Sequence, residues 1–105
     1  MNAPIASLEV IAIDRDGTRL PITVQIGTPY LSERHPDTWR CPVAIQPLHE
    51  TLPDIAGGDA FQALCLGSRM AVDLLRSYVA SGGRVTIDGE NDVPLDAYIP
   101  LHPKP

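Results

Sequence analysis

The run G-G-D-A-F-Q-A-L, residues 57–64, is the first place where residue types and spacing suggest chemistry. Unpaired N–H groups at a helix N-terminus attract anions, and glycines let a phosphate approach the backbone. A phosphate loop needs Lys and then Ser or Thr after its last Gly, and the dinucleotide fingerprint needs G-x-G-x-x-G spacing directly after a strand. Here Asp59 and Ala60 follow instead. Asp59 is a preferred N-cap, and Gln62 three residues on completes an acidic variant of the capping box. Its carboxylate would fill the place, and neutralise the dipole, that a phosphate needs. The stretch therefore reads as a capped helix start.

The remaining reactive residue types are scattered. His35, His49 and His102 fall in loop or tail contexts, without H-x-x-x-H or C-x-x-C spacing, so no metal site and no cofactor is expected. Ser32, His35 and Asp37 share one short loop, whereas a nucleophilic triad draws its members from separate rigid elements. Asp88, Glu90 and Asp92 in D-G-E-N-D lack the twelve-residue calcium-loop spacing and read as a solvated acidic turn. Cys41 and Cys65 read as two buried thiols, with a single disulfide left as the alternative.

Recognition is the chemistry that is left. Tyr30 and Leu31 stand in a long loop, residues 28–38, with Arg34 inside it and Arg40 beyond. Exposed Tyr with nearby Arg suits a protein interface, and the alternative is a loop packed down by its own Tyr and Leu. Leu66 and Met70 form an apolar shoulder on a helix, read either as extra core or as a subunit contact. Trp39 is read as core. The net charge is −5 and Lys104 is the only lysine, so no basic face for nucleic acid is expected. The N-terminal residues lack a basic, then apolar leader, and no apolar run approaches a membrane span, so a cytoplasmic protein is expected.

These residues need a scaffold. Residues 7–14 are rich in β-branched types, and Leu20, Ile22, Val24 and Ile26 alternate with Arg19, Pro21, Thr23 and Gln25. With D-R-D-G-T between them, the two runs predict a hairpin. Trp39, Cys41, Val43 and Ile45 predict a third strand. Pro21 and Pro42 must sit where no ladder bond is needed. At 100° per residue, Phe61, Leu64, Cys65, Ser68, Ala71, Val72, Leu75, Tyr78 and Val79 share one face of a long helix, with Gln62, Arg69, Asp73 and Arg76 opposite. S-G-G at 81–83 stops it, R-V-T-I-D at 84–88 predicts a last strand, and residues 93–101 a further edge segment.

The expected fold is one α+β domain. An antiparallel sheet of about four strands is covered on one face by a single long amphipathic helix. Short flexible ends are expected near residues 1–5 and 101–105.

W-R-C-P-V-A-I, residues 39–45, and then G-G-D-A-F-Q-A-L-C-L, residues 57–66, together resemble a family of small bacterial domains of unknown function. The family pattern runs W-x-C-x-x-x-I, then G-x-D-x-x-Q-A-L-x-L, and Trp39, Cys41, Ile45, Gly57, Asp59, Gln62, Ala63, Leu64 and Leu66 match it. The resemblance implies β-strands plus one long helix and brings no activity, cofactor or catalytic residue.

The functional expectation is a non-enzymatic protein-interaction or accessory (immunity-type) module with an unidentified protein partner. Two alternatives stand beside it: a small-ligand binder or enzyme with a site between helix and sheet, and a structural homodimer through Leu66 and Met70. For the helix start, Asp59→Ala is expected to cost about 0.5–2 kcal/mol in urea denaturation; an unchanged midpoint would remove Asp59 as the cap.

Overall fold

The computed structural model describes residue 1 and residues 3–100. Nine elements follow one another: β1 (Ala6–Ile13), β2 (Arg19–Ile26), β3 (Tyr30–Leu31), β4 (Trp39–Cys41), β5 (Val43–Gln46), β6 (Ile55–Gly57), α1 (Ala60–Ala80), β7 (Arg84–Thr86) and the single turn α2 (Leu95–Tyr98). The fold is α+β. A four-stranded antiparallel sheet runs in the order β5-β2-β1-β7. A second antiparallel sheet, β3-β4-β6, stands beside it.

The hairpin forms where its pattern predicts it, with Ile13 opposite Arg19. Asp14 N–H donates to Thr18 O at 3.0 Å, Gly17 N–H donates to Asp14 O at 3.0 Å, and Gly17 takes φ +84°. That is a tight turn closed by a left-handed residue, the conformation glycine adopts without a Cβ penalty. Leu8, Val10 and Ala12 of β1 and Ile22, Val24 and Ile26 of β2 turn inward with Val43, Ile45 and Val85. Glu9, Thr23 and Gln25 stand on the opposite face.

The predicted third strand is two strands. Trp39–Cys41 pairs in the small sheet and Val43–Gln46 in the large one, with Pro42 between them. Proline is the physical reason, because it cannot donate to a ladder. Gly27 N–H donates to Pro42 O at 2.9 Å, but no N–H returns to Gly27 O. The Cys41 thiol lies 3.6 Å from that carbonyl and supplies a weak substitute donor. Pro21 avoids the same problem. Its nitrogen faces the β5 side of β2, two residues beyond Thr23, where β5 pairing has already ended.

Two further expectations are corrected, and one strand appears where none is expected. The segment 28–38 is not all loop, because Tyr30 and Leu31 pair with Arg40 and Trp39. Ile55–Gly57 is a strand that carries too few residues to show a period. Residues 95–98 form a helical turn where an edge segment is expected, after Val93 N–H donates to Val85 O at 2.9 Å. At the N-terminal end, Ile5 N–H donates to Ile26 O at 2.8 Å, so pairing reaches back into the stretch expected to be flexible. Residues 101–105, including His102, lie outside the described residues.

The helix spans its predicted range, but its buried side is rotated in the N-terminal half. Ala63, Gly67, Ala71, Val72 and Leu75 are buried, while Phe61 and Cys65, expected inside, are exposed; Val79, also expected inside, is exposed in the last turn. The cause is the small sheet. The helix packs on β4 and β6 as well as on β2, β5 and β7, and that contact is backbone-close. A Cβ on Gly67 would lie 3.0 Å from Cys41 Sγ, and one on Gly57 only 2.5 Å from Ala63 N. The wet face holds Arg69 with Asp73 at 3.8 Å as expected. Arg76 pairs with Asp73 on the same face at 3.0 Å, as the i,i+3 spacing predicts, and also reaches Asp96 at 3.0 Å and Ile99 O. The helix ends at Ser81, where Gly83 N–H donates to Tyr78 O and Gly82 N–H to Val79 O, the paired bonds of a Schellman stop.

Gly57→Ala forces its new methyl into helix backbone, whereas Gly58→Ala meets only the Gln62 side-chain oxygen at 3.3 Å. Gly57→Ala is expected to lose about 1–3 kcal/mol in urea denaturation and Gly58→Ala much less. Equal losses would contradict the close contact.

Candidate functional site

The glycine run is used structurally. Asp59 Oδ1 accepts Gln62 N–H at 2.7 Å, and Gln62 Oε1 accepts Gly58 N–H at 2.6 Å. The protein's own carboxylate therefore sits where an anion would bind. Ser32 is only 7% exposed, and its Oγ accepts His35 N–H at 3.3 Å, which shapes the β3–β4 loop and turns the hydroxyl away from solvent. Asp37 is exposed in the same loop. Among the described residues no group of three or more His, Cys, Asp or Glu side chains could hold a metal ion. Cys41 is buried, which pushes its thiol pKa up, while Cys65 is exposed, against the expectation of two buried thiols; both are free.

The acidic turn is organised by one residue. Asp88 accepts Glu90 N–H at 2.9 Å and Asn91 N–H at 2.8 Å on Oδ1, and the Asn91 amide at 2.8 Å on Oδ2. The Asn91 and Glu90 backbone donors favour the charged form and hold its pKa down to about 2. Each oxygen of Asp88 is thus committed to its own loop.

A groove of about 620 Å³ runs along the free edge of β5. Tyr30 and Asp54 stand at one end, Gln46 and Glu50 line its polar wall, and Pro42 and Val43 its apolar one. Ala44 and Gln46 turn their backbone groups to Gln25 and Thr23, so Val43 and Ile45 turn theirs away from β2. Ile45 O is taken by His49 N–H at 2.8 Å. Val43 faces the groove. The Tyr30 hydroxyl donates to Asp54 Oδ2, and this bond raises the phenol's pKa, with Arg40 acting weakly the other way.

A family of domains described only as a domain of unknown function, DUF6968, matches residues 9–97. The chain belongs to that family. The match runs from β1 into α2 and takes in both sheets, the helix and most of the groove lining of this DUF6968 domain. Comparison with curated proteins and with solved structures finds no match.

The five residues expected at an interface fall in two places on the DUF6968 domain. Tyr30 and Leu31 lie on the outer strand of the small sheet, 42% and 47% exposed, and Arg34 is exposed in the loop that follows. Leu66 and Met70 are on α1 beside Ile55. Leu66 is 40% exposed, while Met70 is drawn partly into the core. Trp39 packs against the core from β4. The groove residues Glu50, Thr51 and Asp54 carried no sequence signal, because their roles arise from the path of the 47–54 connection. Between helix and sheet, a groove of about 210 Å³ with mainly apolar walls lies beside Leu8, Val24, Ala71, Val72 and Tyr98, and a second of about 380 Å³ lies between α1 and Ile55 of β6. No helix among the described residues is long and apolar enough to cross a membrane.

Because Asp88 titrates near 2 when folded and near 3.8 otherwise, its contribution to stability is complete above pH ~4 and is lost as pH falls through about 2. Asp88→Asn is expected to flatten the fall in melting temperature across that acid range. A variant curve parallel to wild type would show that the turn bonds add nothing.

Proposed function

We propose that this domain is a non-enzymatic protein-interaction module that takes an extended segment of a partner protein into the groove beside β5, anchored on Tyr30, with exposed Leu31 touching the partner beyond the groove. One observation carries the reading: Tyr30 is exposed yet held in place by its bond to Asp54, so a large amphipathic side chain is pre-positioned at the groove. Fixed aromatic side chains lose little entropy on binding and recur at the centres of interfaces. The free edge at Val43 offers main-chain groups to an added strand. Glu50 and Asp54 in the wall, and a net charge of −5, favour a partner with basic character. An accessory role, of the immunity type or another, fits a module that works by occupying its partner.

Affinity capture from native extract, comparing wild type with Tyr30→Ala and Leu31→Asp, tests this. Both variants are expected to lose about tenfold or more of the captured partner while keeping the wild-type melting temperature, as loss of a hot spot would cause. Retention of every captured protein by both variants would overturn the groove assignment.

A further inference from the structure

We propose that residues 94–99 form a strap that opens as a unit, swinging on Val93, and that Arg76 is the latch holding it shut over an apolar groove between α1 and the large sheet. The strap is separate from the β5 groove and stands on different observations.

Apart from that guanidinium, the strap is lightly held. None of the four α2 residues is fully buried, and Pro94 at its start makes no side-chain cap bond among the described residues. Its backbone bonds are local: Leu95 N–H donates to Val93 O at 2.8 Å, Ala97 N–H to Pro94 O at 2.9 Å and Ile99 N–H to Leu95 O at 3.1 Å. A single helical turn has no longer ladder to sustain it. Its apolar hold is Leu95, half-buried against the core. Val93, one residue earlier, is different. It is buried, and its N–H donates to Val85 O at 2.9 Å, so the chain is pinned there and released just beyond.

Arg76 reaches the strap from α1. Its Nη2 donates to Asp96 Oδ1 at 3.0 Å and to the Ile99 carbonyl, so one nitrogen grips the strap at two places. Its Nη1 donates to Asp73 Oδ1 at 3.0 Å, a pair within α1 that survives opening. The Asp96 side chain is 71% exposed, and water weakens an ion pair of that kind. Nε of Arg76 is buried without a hydrogen-bond partner among the described residues. Opening returns this donor to water, which offsets part of what the two strap bonds contribute. A latch balanced in this way lets a segment open well below the free energy of global unfolding.

When shut, Tyr98 and Ile99 form the outer wall of the groove of about 210 Å³, and Leu8, Val24, Ile26 and Val72 line its inner side. Opening uncovers Val72 and leaves the crossing at Cys41 undisturbed.

Thiol labelling by dithiobis-nitrobenzoate under native conditions tests this on the whole chain. Cys65→Ser removes the exposed thiol, and the nearly isosteric Val72→Cys places a reporter under the strap. Cys41, 0% exposed, is an internal control that reacts only on global unfolding. The reporter is expected to react at least about tenfold faster than Cys41. Adding Arg76→Met is expected to raise the ratio of the two rates by a further tenfold or so. Asp96→Asn, which leaves α1 untouched, is expected to raise the ratio by a smaller factor. Reaction of both thiols at one common rate would overturn the proposal, and so would a ratio that neither latch variant changes.

Discussion

The architecture depends on how closely backbones approach around Pro42. Gly27 lies against the proline ring, where an added Cβ would come within 2.9 Å, and Gly67 lies over Cys41. Proline interrupts the ladder, the Cys41 thiol substitutes for the missing donor, and the chain passes from the small sheet into the large one within a single residue. Everything nearby must then be small. Gly67 faces the crossing and Ala63 faces Gly57 of β6, because larger residues would lift the helix off the strands.

That crossing also decides what is left outside. A helix that turns its small residues toward β4 and β6 cannot also bury Phe61 and Cys65, so an apolar stripe remains at the surface. On the opposite side of the crossing, β5 ends the large sheet, and the 47–54 connection bends back past it to form the β5 groove. The two surfaces differ in kind. The groove carries carboxylates, an amide and a phenol, while the stripe carries almost no charge. On the reading proposed above, the first suits a polar extended segment.

The reactive residue types that first drew notice serve the fold. Asp59, Ser32 and Asp88 each accept N–H groups of their own neighbourhood, which is what short polar side chains do at helix starts and turns. Their local spacing already pointed that way: a carboxylate or hydroxyl two or three residues from a free N–H is closer to it than to any distant partner.

Sequence alone determined whatever is settled within a few residues: the β1–β2 hairpin and its Asp-Gly turn, the alternation through residues 39–46, the cap at Asp59, the stop at Ser81–Gly83 and the extent of α1. Each rests on a local period or a local hydrogen bond, and these depend little on the rest of the molecule. Tertiary structure decided which sheet each half of the 39–46 run joins, that Tyr30–Leu31 and Ile55–Gly57 are strands, how the helix is rotated, and that Tyr30 meets Asp54. Two-residue and three-residue strands have no period to detect. Hydrophobic periodicity weighs side chains and scores glycine as nothing, yet here glycine and alanine lie at the closest contact. A helix face is chosen by what packs against it, and the strands that do so come from distant parts of the chain.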